Sequence, residues 1–287
     1  MISAAPVNLS GRGCLLDLSK PAIMGILNIT PDSFFAGSRW QDVDAAVDRA
    51  LVMIQAGAAI VDIGGESTRP GAQEISATEE LERVIPVIKA LRRKTDAPIS
   101  IDTTKSQIAQ NAIAAGANFV NDISGLTFDS DMAAVVASSG AGIFLMHTRG
   151  RPAVMQQQTG YADLVGELIG SLQMSIKLAH SAGIAPTCIA VDPGIGFGKS
   201  VEGNLEILQR LDCLHQLGCP ILLGTSRKSF IGAIVDQEDP SERLAGSLAT
   251  VALGVAQGVH MFRVHDVKPS YDAAMVAWAI KTRWLPK

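Results

Sequence analysis

One unit recurs along the chain, and it constrains the fold more than any single motif does. A helical run ends at a small–Gly–small stop, an apolar β-branched run follows, and polar residues close the unit. The stops read Ala56-Gly57-Ala58 before Ile60-Val61-Asp62-Ile63-Gly64, Ala115-Gly116-Ala117 before Phe119-Val120-Asn121-Asp122, and Ser139-Gly140-Ala141 before Ile143-Phe144-Leu145-Met146-His147. They return as Ala182-Gly183 before Ile189-Ala190-Val191-Asp192, Leu217-Gly218-Cys219 before Ile221-Leu222-Leu223-Gly224, and Gln257-Gly258-Val259 before Met261-Phe262-Arg263-Val264-His265. Glycine after a helix takes the left-handed conformation at little cost. Two further strands, residues 23–27 and 99–101, fit without that stop and bring the number to eight. Helices are predicted between them, for example over 42–56, 78–93 and 164–182. Runs apolar on both faces and separated by helices indicate a buried parallel sheet. Eight βα units in 287 residues predict an α/β fold, a (β/α)8 TIM barrel. The barrel is expected as a single domain over residues 21–287, with residues 1–20 as a short N-terminal extension closing its floor. An open, doubly wound sheet is the competing architecture.

Composition narrows the function. Hydrophobic residues make up 47% and charged residues 18%, too much apolar material and too little charge for a disordered chain. Lys plus Arg number 24 against 28 Asp plus Glu, a net charge of −4, so no basic footprint for nucleic acid or an anionic membrane surface exists at the level of the whole chain. The four cysteines, Cys14, Cys188, Cys213 and Cys219, form no Cys-x-x-Cys pair and are expected as reduced, buried thiols of a cytoplasmic protein. Residues 1–10 lack a basic segment followed by an apolar core, so no signal peptide is expected. The apolar stretch 244–262 is interrupted by Ser247, Thr250, Gln257 and His260 and reads as a buried helix running into a strand, not a membrane span.

Function in such a barrel sits at the C-terminal ends of the strands. There lie Asn28, Asp62 with Glu66, Asp102, Asn121 with Asp122, His147, Asp192, Ser226 with Lys228, and Arg263 with His265. Any one of these is ordinary for a strand meeting solvent, but all eight ends carry a hydrogen-bonding or charged group. The first six ends are rich in Asn and Asp, while the cations gather on the last two, where these barrels often bind phosphate. A substrate with one polyanionic end and one neutral, donor-rich end follows. Two nucleotide motifs fail: Gly194-Ile195-Gly196-Phe197-Gly198 has the wrong spacing for G-x-G-x-x-G, and Gly198-Lys199-Ser200 has Pro193 where a P-loop needs its first glycine. That segment reads as a turn between strand and helix that lets backbone approach a ligand. His180 and His215 fall on predicted helices and form no zinc constellation, and His147 reads as a strand-end residue.

In order, these motifs closely resemble dihydropteroate synthase, a family of pterin-binding TIM-barrel enzymes. The segments are Met24-Gly25-Ile26-Leu27-Asn28-Ile29-Thr30-Pro31-Asp32-Ser33-Phe34, Asp62-Ile63-Gly64-Gly65-Glu66-Ser67-Thr68-Arg69-Pro70-Gly71, Ser100-Ile101-Asp102-Thr103 and Val120-Asn121-Asp122-Ile123-Ser124-Gly125. They continue with Leu145-Met146-His147, Asp192-Pro193-Gly194-Ile195-Gly196-Phe197-Gly198-Lys199, Ser226-Arg227-Lys228-Ser229, Glu242-Arg243 to Gly246-Ser247, and Arg263-Val264-His265-Asp266-Val267. The resemblance spans residues 20–280.

It implies a folate-pathway transferase that joins 6-hydroxymethyl-7,8-dihydropterin diphosphate to p-aminobenzoate and releases diphosphate by a dissociative mechanism. Carried over by position, the pterin diphosphate site comprises Thr68, Asp102, Asn121, Met146, Asp192, Lys228, Arg263 and His265, with Lys228, Arg263, His265 and Asp102 as the catalytic set. The p-aminobenzoate site comprises Thr68, Arg69, Pro70, Phe197 and Ser226, and sulfonamides that mimic the arylamine are expected to compete there. Asn28 is the implied ligand of a Mg²⁺ cofactor, and a homodimer is the expected assembly. One departure stands out: Ala36 occupies a first-loop position where the family commonly has Asp. The stretch Thr148-Arg149-Gly150-Arg151-Pro152 is read as a solvated loop. Two rivals are a methyltetrahydrofolate-type methyltransferase, against which Thr68-Arg69-Pro70 and Ser226-Arg227-Lys228 argue, and a pterin-binding paralogue with weak or no synthase activity, which Ala36 favours.

Overall fold

The computed structural model describes residues 8–29, 39–69 and 71–284. Pro70 and the first loop around Ala36 lie outside the described residues. A hairpin of β1 (Asn8–Gly11) and β2 (Cys14–Asp17) leads into β3 (Ala22–Asn28), α1 (Arg39–Gln55), β4 (Ile60–Gly64), α2 (Ala77–Arg92), β5 (Ile99–Asp102) and α3 (Ser106–Ala115). Then come β6 (Phe119–Asp122), α4 (Met132–Ser139), β7 (Gly142–Met146), α5 (Leu164–Ser181), β8 (Ile189–Asp192), α6 (Val201–Gln209) and β9 (Leu222–Leu223). The chain ends with α7 (Ser229–Val235), α8 (Leu244–Ala256), β10 (Met261–Val264) and α9 (Val267–Thr282).

Strands β3 to β10 form one eight-stranded sheet in the order β8-β7-β6-β5-β4-β3-β10-β9, every ladder in it parallel. The ring closes between β8 and β9 through a single bridge, Val191 to Ile221, with Val191 N donating to Pro220 O at 2.9 Å. The sheet is therefore the expected TIM barrel, not an open doubly wound sheet. The six predicted helix stops all have positive φ, from +68° at Gly140 and Gly218 to +121° at Gly116, with Gly57, Gly183 and Gly258 between. Helix α2 opens on a side-chain N-cap, Ser76 Oγ accepting from Glu79 N at 3.2 Å.

Side chains alternate across each strand. One set (Ile23, Leu27, Val61, Ile63, Ile99, Ile101, Val120, Ile143, Leu145, Val191, Phe262 among them) packs outward against the helices as the main core. The other set points into the barrel. Met24, Ile60, Phe119, Phe144, Ala190, Leu222 and Met261 form a second cluster that also contains Leu9, Leu16 and Leu18 from the hairpin and the segment after it. Leu9 is fully buried there, and Arg12 N donates to Asn118 O at 3.1 Å beneath β6.

Two expectations shift in detail. Only Cys219 is buried, while Cys14, Cys188 and Cys213 are half-buried, all as free thiols. Cys14 and Cys188 lie at element ends and Cys213 in the 3-10 helix after α6, each with one side toward solvent. The 148–152 loop is less solvated than expected: Arg149 stacks on Tyr161 at 4.1 Å and pairs with Glu167 at 2.7 Å, and Arg151 stacks on Phe128 and pairs with Glu74. The apolar stretch from residue 244 is, as expected, a helix, Leu244–Ala256, running into a strand, β10. No helix among the described residues is long and apolar enough to cross a membrane.

Candidate active site

Period two generates the site directly. Two residues beyond the inward layer of the floor, each strand presents its next inward side chain: Asp62 after Ile60, Asp102 after Ser100, Asn121 after Phe119, Met146 after Phe144, Asp192 after Ala190, Arg263 after Met261. Register then fixes their height. Asn28 pairs with Gly64, Gly64 with Asp102, and Asp102 with Asn121, so four neighbouring strands bring these positions to one level.

Arg263 is the bridge of this layer. Its Nε donates to Asp62 Oδ2 at 2.7 Å and its Nη2 to Asp102 Oδ2 at 2.6 Å. Asn121 Nδ2 donates to the same Asp62 oxygen at 3.0 Å. Burial works against the Arg263 cation, yet Asp62 and Asp102 hold its pKa above the ordinary value. Burial pushes Asp102 up, and the neighbouring Asp62 charge adds to that while Arg263 opposes it. Among the described residues, Asp62 Oδ1 and Asp102 Oδ1 are buried without a hydrogen-bond partner. An unsatisfied buried acceptor is costly, so a ligand that brings N–H donors here gains what the free protein lacks. Asp192 completes the acidic floor: Gly194 N donates to its Oδ1 at 2.6 Å, burial raises its pKa, and Lys228 counters that shift. A Cβ built on Gly224 would sit 3.8 Å from both Asp192 Oδ2 and Arg263 Cβ, so the two side chains flank a residue that leaves the space open.

The cationic side comes from the last two strand ends. Lys228 Nζ donates to Ile195 O and lies 4.7 Å from the Phe197 ring centroid. Burial lowers its pKa to about 8, with Asp192 opposing and Arg263 assisting. His265 N donates to Ser226 Oγ at 3.2 Å, and Ser226 Oγ lies 3.1 Å from His265 Nδ1. Burial, then the Arg263 and Arg227 cations, bring the His265 pKa down to about 3. The ring is therefore neutral, and its tautomer sets whether Nδ1 or the Ser226 hydroxyl donates in that contact. Arg227, between Ser226 and Lys228, has φ +61°, a conformation uncommon outside glycine. It is held from several directions: its N donates to Ser247 Oγ at 2.9 Å, its carbonyl accepts from Arg243 Nη1 at 3.0 Å, and its guanidinium forks onto Asp266 at 2.8 and 2.5 Å.

The loop after β4 carries Thr68 and Arg69. Thr68 is half-buried and lines a small cavity with Glu66, Asp102, Thr103, Lys105 and Phe128. Arg69 is exposed, near enough for its charge to help depress His265. Behind the loop, Lys105 Nζ donates to Glu66 and, at 2.6 Å, to the buried Glu80, and Ile75 N donates to Glu66 at 3.3 Å. Met146 is buried beside Gly194, and Phe197 is half-buried under Lys228.

Asp102, Asn121, Met146, Asp192, Lys228 and Arg263 thus meet inside the mouth. Ser226, His265, Thr68 and Arg69 stand on its rim. Two partners carried no role in the sequence reading. Asp62 was a strand-end acid whose signal was its inward phase; it joins Arg263 to Asn121. Lys199, read as part of a turn, is 3% exposed and packs between the loop after β8 and His147; the only hint was a glycine-rich segment with many carbonyls to satisfy.

A divalent cation can be tested against the donors. A Cβ on Gly64 would lie 3.6 Å from Asn28 Oδ1 and 3.6 Å from Asp102 Oδ2, so hard oxygen donors face one another across the bare Gly64 backbone. Among the described residues no group of three or more His, Cys, Asp or Glu could hold a metal ion. That combination fits an ion that draws most of its ligands from water and a substrate diphosphate, as Mg²⁺ does.

The chain matches the family model described as pterin binding enzyme over residues 24–265. It is 50% identical over 258 residues to the dihydropteroate synthase of Synechocystis sp., covering 90% of this chain and 89% of that protein. Among solved structures, the dihydropteroate synthase of Yersinia pestis in complex with a sulfonamide drug superposes with a TM-score of 0.90 at 41% identity, covering 96% of this chain and 99% of that one. That of Xanthomonas albilineans with 4-aminobenzoic acid gives 0.90 at 41% identity, covering 98% and 99%. The same protein in complex with 7,8-dihydropteroate gives 0.86 at 38%, covering 97% and 100%. With identity this high over nearly the full length, and a barrel mouth that joins buried carboxylates to a cationic rim, the chain belongs to the pterin-binding enzyme family and, within it, to the dihydropteroate synthases.

Proposed function

We propose that the mouth binds 6-hydroxymethyl-7,8-dihydropterin diphosphate with its ring on Asp102, Asn121 and Asp192, beside Met146, and its diphosphate toward Lys228, Arg263, His265 and Thr68. The observation that carries this reading is the pair of buried, unpartnered carboxylate oxygens on Asp62 and Asp102, set beside Arg263. The pterin edge offers N–H donors, and these oxygens are acceptors with none. p-Aminobenzoate then sits toward Phe197, Ser226, Thr68, Arg69 and Pro70.

The reaction is dissociative. The C–O bond to diphosphate breaks and its electron pair leaves with the diphosphate. The dihydropterin cation is held by the carboxylates of the floor. The arylamine nitrogen attacks with its lone pair, the C–N bond forms, and the nitrogen then releases a proton to water. An arylamine is neutral at pH 7, so no side chain needs to activate it. Lys228, the neutral His265 and Thr68 face charge that grows on the leaving oxygens, and one such charged contact contributes roughly 3 kcal/mol to the transition state. Asn28 would hold Mg²⁺ against the diphosphate; when bound, the ion supplies charge neutralisation and orientation. Sulfonamides compete with p-aminobenzoate. The enzyme is cytoplasmic and homodimeric, the latter supported by exposed apolar side chains at Leu253, Val276 and Ile280 on α8 and α9.

The test mixes purified chain, Mg²⁺, the dihydropterin diphosphate and labelled p-aminobenzoate. Labelled dihydropteroate is expected, and Lys228→Ala should lower kcat/KM by about 100-fold. Absence of product with pterin binding retained overturns the synthase reading in favour of a binding-only paralogue.

A further inference from the structure

Loop 194–198 has no regular structure, yet a side chain satisfies each of its five carbonyls. Gly194 O and Phe197 O both accept from Lys199 Nζ at 2.9 Å. Ile195 O accepts from Lys228, Gly196 O from Gln156 Nε2 at 2.7 Å, and Gly198 O from Tyr161 Oη at 2.9 Å. Three glycines at φ +67°, +81° and +61° (Gly194, Gly196, Gly198) make the path possible. At Gly194 a Cβ would meet His147 O at 1.9 Å, so the loop lies directly against the end of β7.

Among the described residues, Lys199 is the only side chain that holds two of these carbonyls. It also donates to His147 O at 3.4 Å and lies 3.0 Å from His147 Nδ1. Burial, with Lys228 nearby, lowers its pKa to about 7, and burial and the Lys199 charge bring His147 down to about 3. A buried ammonium has no carboxylate among these partners; its charge is spread over backbone dipoles and a neutral imidazole. Such a group costs desolvation energy that an apolar residue would not, and that cost marks it as more than filler.

We propose that Lys199 is a positioning residue: from beneath, it fixes loop 194–198 against His147, so that Phe197 and the Ile195 carbonyl stand where the arylamine pocket and Lys228 need them. It touches neither substrate. The inference rests on the site assignment of the previous section, and the experiment keeps the two separable.

Lys199→Met keeps the stem and removes the donor. Its expected effect is a rise in KM for p-aminobenzoate of about tenfold, because a displacement near 1 Å is enough to disturb a positioned group. The KM for the diphosphate substrate should rise less, by about threefold, through the Ile195 carbonyl on Lys228 and the Gly194 amide on Asp192, and Lys199→Arg, which keeps the cation and its donors, should restore most of the loss. Independently of activity, amide hydrogen exchange at Gly194, Gly196 and Phe197 should quicken in Lys199→Met while β7 and α6 keep their protection. An unchanged p-aminobenzoate KM overturns the proposal, as does a fall in kcat with both KM values held, which would place Lys199 on the chemical step. Should Lys199→Met not accumulate, Tyr161→Phe frees only Gly198 O and should raise the same KM by about threefold; no rise overturns the proposal. If the wild-type chain makes no dihydropteroate, the assignment of substrates fails, and the exchange comparison alone still decides whether Lys199 holds the loop.

Discussion

At the scale of single residues, the site sorts its groups by what surrounds them. The clearest consequence is in Lys228. Its pKa is lowered to about 8, chiefly by burial, so the cation is complete below that pH and lost as pH rises through it. Because kcat/KM reports the free enzyme, its alkaline limb for the diphosphate substrate should fall with a midpoint near 8. Lys228→Arg, whose guanidinium does not titrate in this range, should remove that limb from the pH profile. A limb that persists in the variant assigns the titration to another group. The strand-end residues themselves were legible in the sequence, since strand ends follow from the repeated unit and their polar character needs no structure. Their couplings were not. That Arg263 grips Asp62 and Asp102 joins residues 201 and 161 positions apart, and only the closed ring brings them together. Lys199 escaped for the opposite reason: glycines hide which carbonyls a segment leaves unpaired.

At the scale of elements, the strands were the most legible part. All eight predicted strand runs match the structure to within a residue at each end, because a buried apolar run that closes on a polar residue has few other ways to be read. Strand β9 is the most shortened. A run predicted over four residues keeps only Leu222–Leu223 in its ladder, since its neighbour β8 pairs through one bridge. The hairpin was legible only as an extra segment closing the floor; that it puts Leu9 among the inward layer of the strands depends on a turn the sequence does not announce. Leu9 is fully buried, so Leu9→Ala should lower unfolding stability by about 3 kcal/mol in denaturant titration. Because the floor lies two residues below the site on each strand, kcat should stay close to wild type. Unchanged stability would mean the hairpin is dispensable, and a matching loss of kcat would mean that floor and mouth are coupled.

At the scale of the whole molecule, the net charge of −4 conceals an internal division, an acidic floor on the middle strands and a cationic rim on the last two. The outside carries a different signal. Leu253 on α8 and Val276 and Ile280 on α9 are 44%, 61% and 76% exposed, and the two helices pack side by side. Sedimentation at micromolar concentration should show a dimer, and Ile280→Lys should shift it toward monomer without loss of fold. A wild-type chain that sediments only as a monomer would refute that assembly.

The single bridge between β8 and β9 has its own consequence. Everywhere else in the mouth, the spacing of functional groups is set by ladder rungs, which a substitution shifts only by unmaking a strand. Across this seam, Asp192 and Lys228 are linked by the Gly194 amide, the Ile195 carbonyl and the loop between them. Their spacing is therefore heritable in small steps: a lineage can retune it one loop contact at a time, and divergence among relatives has its cheapest route there.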